Sequence, residues 1–401
     1  AIDDQFALQG VGAPVISPDG RWVAYTVSTT DAEAESSSTR LWMTAADGAG
    51  EPLPMTREGE SAGSPAWSPD GRYLSFLASR GEDARTQVWV LDRRGGEAWA
   101  LTDVKQGVGD YAWSPDGSRL ALVIRDEEPD DSTWTSDEPE PWVVDRLQFK
   151  RDGTGYLTDT RKRHLYVFDV ATRALRQVTA GDYDEGGPVW SPDGTRIAFT
   201  SNRTPDPDTN SNTDIWVVDA DAPEPVTEPF QVTTNPGSDG SPAWSPDGER
   251  IAYATVTRPD LIWYATTHLA VVDADGTDAR VLTEALDRNV SSPRFSPDGG
   301  LIYFGVEDSA EDQIAAYDLR AGAVRRVTAG PMYVGGMDLN ASGEMVVRVA
   351  RTDLPGDVFR VRDPASAGRS ADRTAELVRL TAVNDSLLAT LALGEVREER
   401  W

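Results

Sequence analysis

Trp67-Ser68-Pro69-Asp70-Gly71 decides the fold, because its last four residues return along the whole chain. Ser-Pro-Asp-Gly stands at 17–20, 68–71, 114–117, 191–194, 245–248 and 296–299, and a degraded copy, Asn340-Ala341-Ser342-Gly343, follows where the next is due. Counted on the third residue, the spacings are 51, 46, 77, 54, 51 and 44. The tetrapeptide is a tight turn: proline fixes φ, aspartate bonds the nearby backbone, and glycine accepts a positive φ. A large apolar residue precedes most copies (Trp67, Trp113, Trp190, Trp244, Phe295), and a β-rich run follows, as at 23–27, 74–78, 197–201 and 251–255.

Two further phrases recur. One is a strand ending in aspartate, at 88–92, 165–169, 215–219 and 269–273. The other is an aliphatic residue followed by threonine, at Thr56, Thr102, Thr179, Thr233, Thr283, Thr328 and Thr381. From each threonine to the third residue of the next turn is 14, 14, 14, 14, 15 and 14 residues. So constant an interval marks one structural unit repeated, and each unit reads as four short strands. The expectation is an all-β chain, a seven-bladed β-propeller of four-stranded blades.

Unit one starts with its own first strand near 13–16 and unit seven ends with its own last strand at 377–381. No strand is then shared between blades one and seven, and packing alone is expected at that seam. The boundaries follow: an N-terminal segment 1–12, a propeller 13–381 with an insertion at about 126–163, and a linker 382–401. The front of the insertion, 126–141, is acidic and proline-rich and reads as an exposed loop. Its back, 142–156, is apolar enough to pack and to form a hairpin.

Composition narrows the function. The chain has 401 residues, 39% hydrophobic, and no cysteine, which excludes disulfides, zinc–thiolate sites, iron–sulfur clusters and thiol catalysis. No apolar run reaches the length of a membrane span, so no membrane insertion is expected. A formal net charge of −29 repels phosphate backbones and argues against nucleic acid. The start at Ala1 looks processed, which with the missing cysteine favours an extracytoplasmic (periplasmic or secreted) location over a cytoplasmic one.

Asp4-Gln-Phe-Ala-Leu8 followed by the turn at 17–20 resembles the start of serine peptidases of the prolyl oligopeptidase family, acylaminoacyl-peptidase type. So do the stretches 143–153, 201–208 and 261–265, the last reading Leu-Ile-Trp-Tyr-Ala. The resemblance implies that this chain is the propeller portion, without the α/β-hydrolase domain that carries the family's Ser-Asp-His triad. Catalytic residues would then be absent from this chain, which alone would be inactive. Its role would be substrate gating: admitting short or N-acylated peptides to a catalytic domain that works through an acyl-enzyme. The hydrolase domain, in the same gene or a separate chain, and short peptides are the partners implied; no cofactor is. A free-standing protein-binding propeller, like that of the Tol–Pal envelope system, is the alternative, and a propeller enzyme with a metal in its channel a third.

Three constellations invite chemistry. Gly59-Glu60-Ser61-Ala62-Gly63 matches the Gly-x-Ser-x-Gly elbow, with His164 and His268 downstream, but Ser64-Pro-Ala-Trp follows where a helix is required. Asp206-x-Asp208-x-Asn210-x-Asn212-x-Asp214 alternates oxygen ligands, yet Ser211 and Val217 stand where a calcium loop needs Gly and Glu. A solvated loop is the reading preferred, so no metal site is expected. The basic residues Arg146, Lys150 and Arg151 are the candidate substrate-binding group. On a strand, Arg146 and Lys150 would share a face and could reach a peptide carboxylate or acidic side chain; surface salt bridges are the competing reading.

Overall fold

A computed structural model of the chain describes residues 2–81, 84–127, 143–144, 146–157, 159–368, 374–394 and 396–397. In every Ser-Pro-Asp-Gly copy the glycine N–H closes onto the serine carbonyl at 2.7–2.9 Å. The glycines take φ between 65° and 72°. The serine, which composition alone leaves unexplained, is buried, and it organises the turn. Its hydroxyl donates to the aspartate, as from Ser68 to Asp70 at 2.6 Å, and accepts the N–H five residues on, as from Tyr73 at 2.9 Å. The aspartate takes one more N–H, that of Arg72 at 3.0 Å. In the degraded copy Asn340 replaces both groups: its amide oxygen accepts the N–H of Ser342 and of Glu344, each at 3.0 Å.

Each turn opens a meander of antiparallel strands. The first sheet contains Gly10–Val11, Val15–Ile16, Trp22–Asp31, Ser36–Ala45 and Leu53–Pro54. The second contains Gly63–Trp67, Tyr73–Ala78, Gln87–Asp92 and Trp99–Ala100, and the third Asp110–Trp113, Arg119–Arg125, Arg163–Asp169 and Leu175–Gln177. The fourth is Glu185–Trp190, Arg196–Ser201, Asp214–Asp219 and Phe230–Gln231; the fifth is Asp239–Trp244, Arg250–Val256, Thr267–Asp273 and Arg280–Val281. The last eight strands form two such meanders, from Val290–Phe295 to Ala323–Arg326 and from Tyr333–Leu339 to Glu376–Arg379. One parallel bridge, Asp312 to Tyr333, joins these two, hereafter the sixth and seventh groups.

Period-two alternation sends each strand's side chains to two faces, so every sheet contributes to two apolar layers. Ile197 and Phe199 pack toward the third sheet, whereas Ala198 between them packs toward the fifth. Among the described residues seven layers separate successive sheets. The seventh joins Ile16, Val23 and Tyr25 of the first sheet to Val346 and Val358 of the last group, so the order of sheets closes on itself. A size rule governs the joints. Where an aromatic residue precedes a turn it shares its layer with a small residue of the preceding sheet: Trp67 with Ala24, Trp190 with Ala121, Trp244 with Ala198, and Phe295 with Ala252. Its indole N–H is satisfied there too, by the carbonyl of Val15, Ala112 or Val189, each at 3.1 Å.

The turns themselves follow one another around the same circuit. A Cβ at the turn glycine would stand 3.4–3.8 Å from the proline of the preceding turn, as Gly71 to Pro18 and Gly343 to Pro297. Gly20 faces Asn340 and Glu344 instead, so the last turn packs on the first.

Among the described residues no strand is exchanged between the first sheet and the last group. The expectation of packing alone at that seam is nevertheless corrected. The Asp338 carboxylate accepts the Ile16 N–H at 2.8 Å, and the Gln9 backbone and the Asn384 amide exchange two hydrogen bonds of 2.9 Å. Asn384 immediately precedes a short helix, Asp385–Leu388, inside the stretch read as a linker, and spends its amide on Gln9 rather than on a cap. Most of the acidic front of the insertion, 128–141, lies outside the described residues.

Candidate functional site

A buried polar layer runs along one end of the third strands. It begins from the recurrent threonines, whose hydroxyls accept the N–H of Leu41, Val88, Leu165, Ile215, Leu269, Ile314 and Val358 at 2.8–3.0 Å. The residue just before each of these is polar: Arg40, Gln87, His164, Asp214, His268, Gln313 and Asp357. Where that side chain can accept, the threonine proton goes to it, as to Gln87 and Gln313 at 2.7 Å and to Asp357 at 2.6 Å. The repeated aliphatic-threonine phrase is thus a strand-end clamp.

Facing this layer, five residues before the large apolar residue that precedes each turn, stand Val11, Ala62, Val108, Val290 and Val334. In the fourth and fifth sheets the same place holds Glu185 and Asp239, both buried. Glu185 is neutralised by an ion pair with Arg203, whose guanidinium also donates to the Thr227 carbonyl at 2.7 Å. That guanidinium lies over the rings of Tyr183 and Trp216, 5.1 and 5.2 Å from their centroids. His164 stands 3.7 Å from Glu185 and 3.5 Å from Asp126. Burial works against a charged imidazole, but Glu185 and then Asp126 outweigh it and raise the His164 pKa. A cavity of about 280 Å³ opens beside the group, lined by Lys162, Arg163, Asp184, Glu185 and Asn202 among others. Neither Glu185 nor Arg203 was singled out from the sequence, although an acid where the other units carry Val or Ala is a legible signal.

The candidates singled out from sequence are dispersed differently. Lys150 and Arg151 form an exposed strand paired with Gly155–Tyr156, the hairpin expected of the insertion. The Lys150 ammonium lies 5.5 Å from the Tyr156 ring centroid. Arg146 sits in a bend before that strand, so strand alternation does not set its direction. It lies close enough to Asp208 to help hold that carboxyl below its usual range, after the N–H groups of Gln148 and Leu147. The insertion therefore docks on the acidic loop: Asp208 accepts the Gln148 N–H at 2.9 Å and the Leu147 N–H besides. Asn210 is committed within the loop, to Asn202 and to the Asp206 carbonyl. Among the described residues no group of three or more His, Cys, Asp or Glu is placed to hold a metal ion.

The apolar back of the insertion does not bury itself, contrary to expectation: Val143 is 83% exposed and Leu147 70%. Trp263 and Tyr264 of the recognisable Leu-Ile-Trp-Tyr phrase are 91% and 89% exposed. The elbow-like motif is no elbow. Ser61 lies in the link between the first two sheets, a strand follows it, and its hydroxyl accepts the Thr39 N–H at 3.3 Å. His268 Nδ1 faces the Thr283 carbonyl at 3.3 Å, on the fifth sheet, and His164 has the partners given above.

No protein-family model matches the chain. Curated relatives do. An uncharacterized peptidase, YuxL, of Bacillus subtilis is 34% identical over 220 residues, covering 54% of this chain and 33% of the relative. Dipeptidyl-peptidase 5 of Porphyromonas gingivalis is 25% identical over 406 residues, covering 94% of this chain and 56% of the relative. The chain is a relative of peptidases. It spans between a third and a little over half the length of these two. Solved structures agree in fold. An acylaminoacyl peptidase in complex with Z-Gly-Gly-Phe-chloromethyl ketone superposes with a TM-score of 0.73 at 16% identity, over 98% of this chain and 55% of that one. The β-propeller domain of the trilobed protease from Pyrococcus furiosus gives 0.64 at 15% identity, over 94% of this chain and 99% of that one. A likeness to peptidases, drawn above from four short stretches, thus extends over nearly the whole chain. No helix among the described residues is long and apolar enough to cross a membrane.

Proposed function

We propose that this chain is the seven-bladed β-propeller part of a serine peptidase of the prolyl oligopeptidase family, closed without a shared strand. The observation that carries the reading is the match in extent: this chain pairs with 99% of a protease's isolated propeller domain but with 55% of a whole acylaminoacyl peptidase. The cyclic order of turns and apolar layers supports the count of seven. Peptide-bond hydrolysis through an acyl-enzyme belongs, on this reading, to a separate α/β-hydrolase domain, and the propeller admits and positions short or N-acylated peptides. Arg146, Lys150 and Arg151 are proposed as contacts for a peptide carboxylate or acidic side chain, since they are cations in a chain of net charge −29. An extracytoplasmic location goes with this reading, and cell fractionation tests it.

The decisive experiment treats the full-length gene product with a fluorophosphonate probe and maps the labelled serine. Labelling at a serine outside 1–401, in a Gly-x-Ser-x-Gly context, is the expected result. Labelling of Ser61, or of no residue at all, overturns the proposal, the latter in favour of a binding propeller without chemistry.

A further inference from the structure

The joint between the fourth and fifth sheets holds a pair of acids that no cation among the described residues compensates. Asp214 opens the third strand of the fourth sheet and is 4% exposed; Asp239 opens the first strand of the fifth and is 0% exposed. The Thr233 hydroxyl donates to Asp214 Oδ1 at 3.3 Å, and its dipole also favours the Asp239 carboxylate. Gln231 donates to Asp214 Oδ2 at 3.0 Å, and the Asn235 amide to Asp239 Oδ1. Asp239 Oδ2 is buried with no hydrogen-bond partner. Among the described residues the titratable groups that face the pair are the two carboxyls themselves and the Tyr253 phenol, which burial first and then both carboxylates push up. The remaining neighbours, Gln231, Thr233, Asn235 and Thr255, are neutral donors.

Equivalent acids elsewhere in the layer are treated otherwise. Glu185 has Arg203, and Asp357, also buried, has Arg379. Two carboxylates shut away from water without a counter-charge do not both ionise at an acceptable free-energy cost, so one retains a proton or the joint opens. An orphaned buried oxygen such as Asp239 Oδ2 costs less on a neutral acid than on a carboxylate.

We propose that one of Asp214 and Asp239 keeps a proton and that the pair acts as a pH-operated latch between the fourth and fifth sheets. With that proton in place only one negative charge is buried where the third strand meets the next sheet's first strand. Loss of that proton to solvent leaves two buried negative charges, and their repulsion opens the joint. The device is independent of any catalytic domain and of the proposed peptidase role.

The direction of the pH effect follows from burial and then from Asp239, which together push the Asp214 carboxyl up to about 6. A carboxyl raised in the folded state contributes its full stability below the unfolded value near 4, and loses it as pH rises to about 6. Two pKa units correspond to a change on the order of a hundredfold in the opening equilibrium. Hydrogen exchange on the whole chain, corrected for intrinsic rates, reads this locally. Peptides spanning 213–219 and 238–244 are expected to lose roughly a hundredfold protection between pH 4 and pH 7. Asp239→Asn should remove the pH dependence, and Asp214→Asn serves if that variant does not fold. Protection at 213–219 and 238–244 that is independent of pH, or a pH dependence that survives both substitutions, overturns the latch. Protection lost on adding a chelator at constant pH would place a metal cation where the proton is proposed, and would overturn it equally.

Discussion

Replacing Trp244 by phenylalanine tests the joint rule directly. The indole is 8% exposed, packs against Ala198, and donates its N–H to the Val189 carbonyl at 3.1 Å. Phe295 occupies the same place one sheet later, so a phenyl ring is compatible with the backbone there. Three losses add. The hydrogen bond contributes about 1 kcal/mol net. The smaller ring leaves part of the joint unfilled, worth about 1 kcal/mol. The Arg196 guanidinium, 4.7 Å from the indole centroid, interacts less strongly with a phenyl ring, by about 0.5 kcal/mol. Trp244→Phe should therefore destabilise by about 2–3 kcal/mol, and Trp244→Ala by about 3–5 kcal/mol because the whole ring is lost. Urea denaturation followed by far-ultraviolet circular dichroism measures both without relying on the altered fluorophore. A Trp244→Phe variant within about 0.5 kcal/mol of wild type would refute the argument. So would one as unstable as Trp244→Ala, since the hydrogen bond and the ring's bulk would then not be separable contributions.

Ser241 stands at φ 53° in the first-strand bulge of the fifth sheet, where Gly187 and Gly336 fill the corresponding places of other sheets. Ser241→Gly should stabilise by about 0.5–1 kcal/mol, the left-handed strain relieved less the added chain entropy, and a fall in melting temperature would contradict it. Asp338→Ala orphans the buried Ile16 N–H across the seam and should cost about 1–3 kcal/mol, whereas Asp338→Asn keeps the acceptor. Because burial raises the Asp338 pKa, wild type should lose stability as pH climbs above the ordinary carboxylate range and the Asn variant should not; parallel curves for the two would count against this. The turn aspartates behave oppositely. Hydrogen bonds, chiefly from Ser114 and Ser191, hold Asp116 and Asp193 down at about 2, so their contribution is complete above pH 4 and disappears toward pH 2. Asp116→Asn together with Asp193→Asn should flatten the acid limb of a stability–pH profile, and an unchanged limb would reject the assignment.

The repeat alone determined the elements, because a turn and a strand are set by near neighbours. Pro69 and Gly71 fix local dihedrals, and alternation in 74–78 sorts side chains to two faces without reference to anything distant. The constant interval from threonine to turn marked the repeated unit as well. Local pattern could not supply what meets across large separations. The Asp338–Ile16 and Gln9–Asn384 bonds join residues 322 and 375 positions apart, and no periodicity registers them. The same reason explains the misjudged insertion: a run of apolar residues announces burial only if a partner surface exists, and Val143 and Leu147 meet none among the described residues. It explains the acidic loop too, since alternating oxygens in sequence became a docking carboxylate at Asp208 and a buried acid at Asp214, on different neighbours. What only the tertiary structure decided was charge compensation. Glu185 and Asp239 occupy equivalent places in the repeat, yet one faces Arg203 and the other a second carboxyl, because the compensating group comes from a loop that the repeat does not specify.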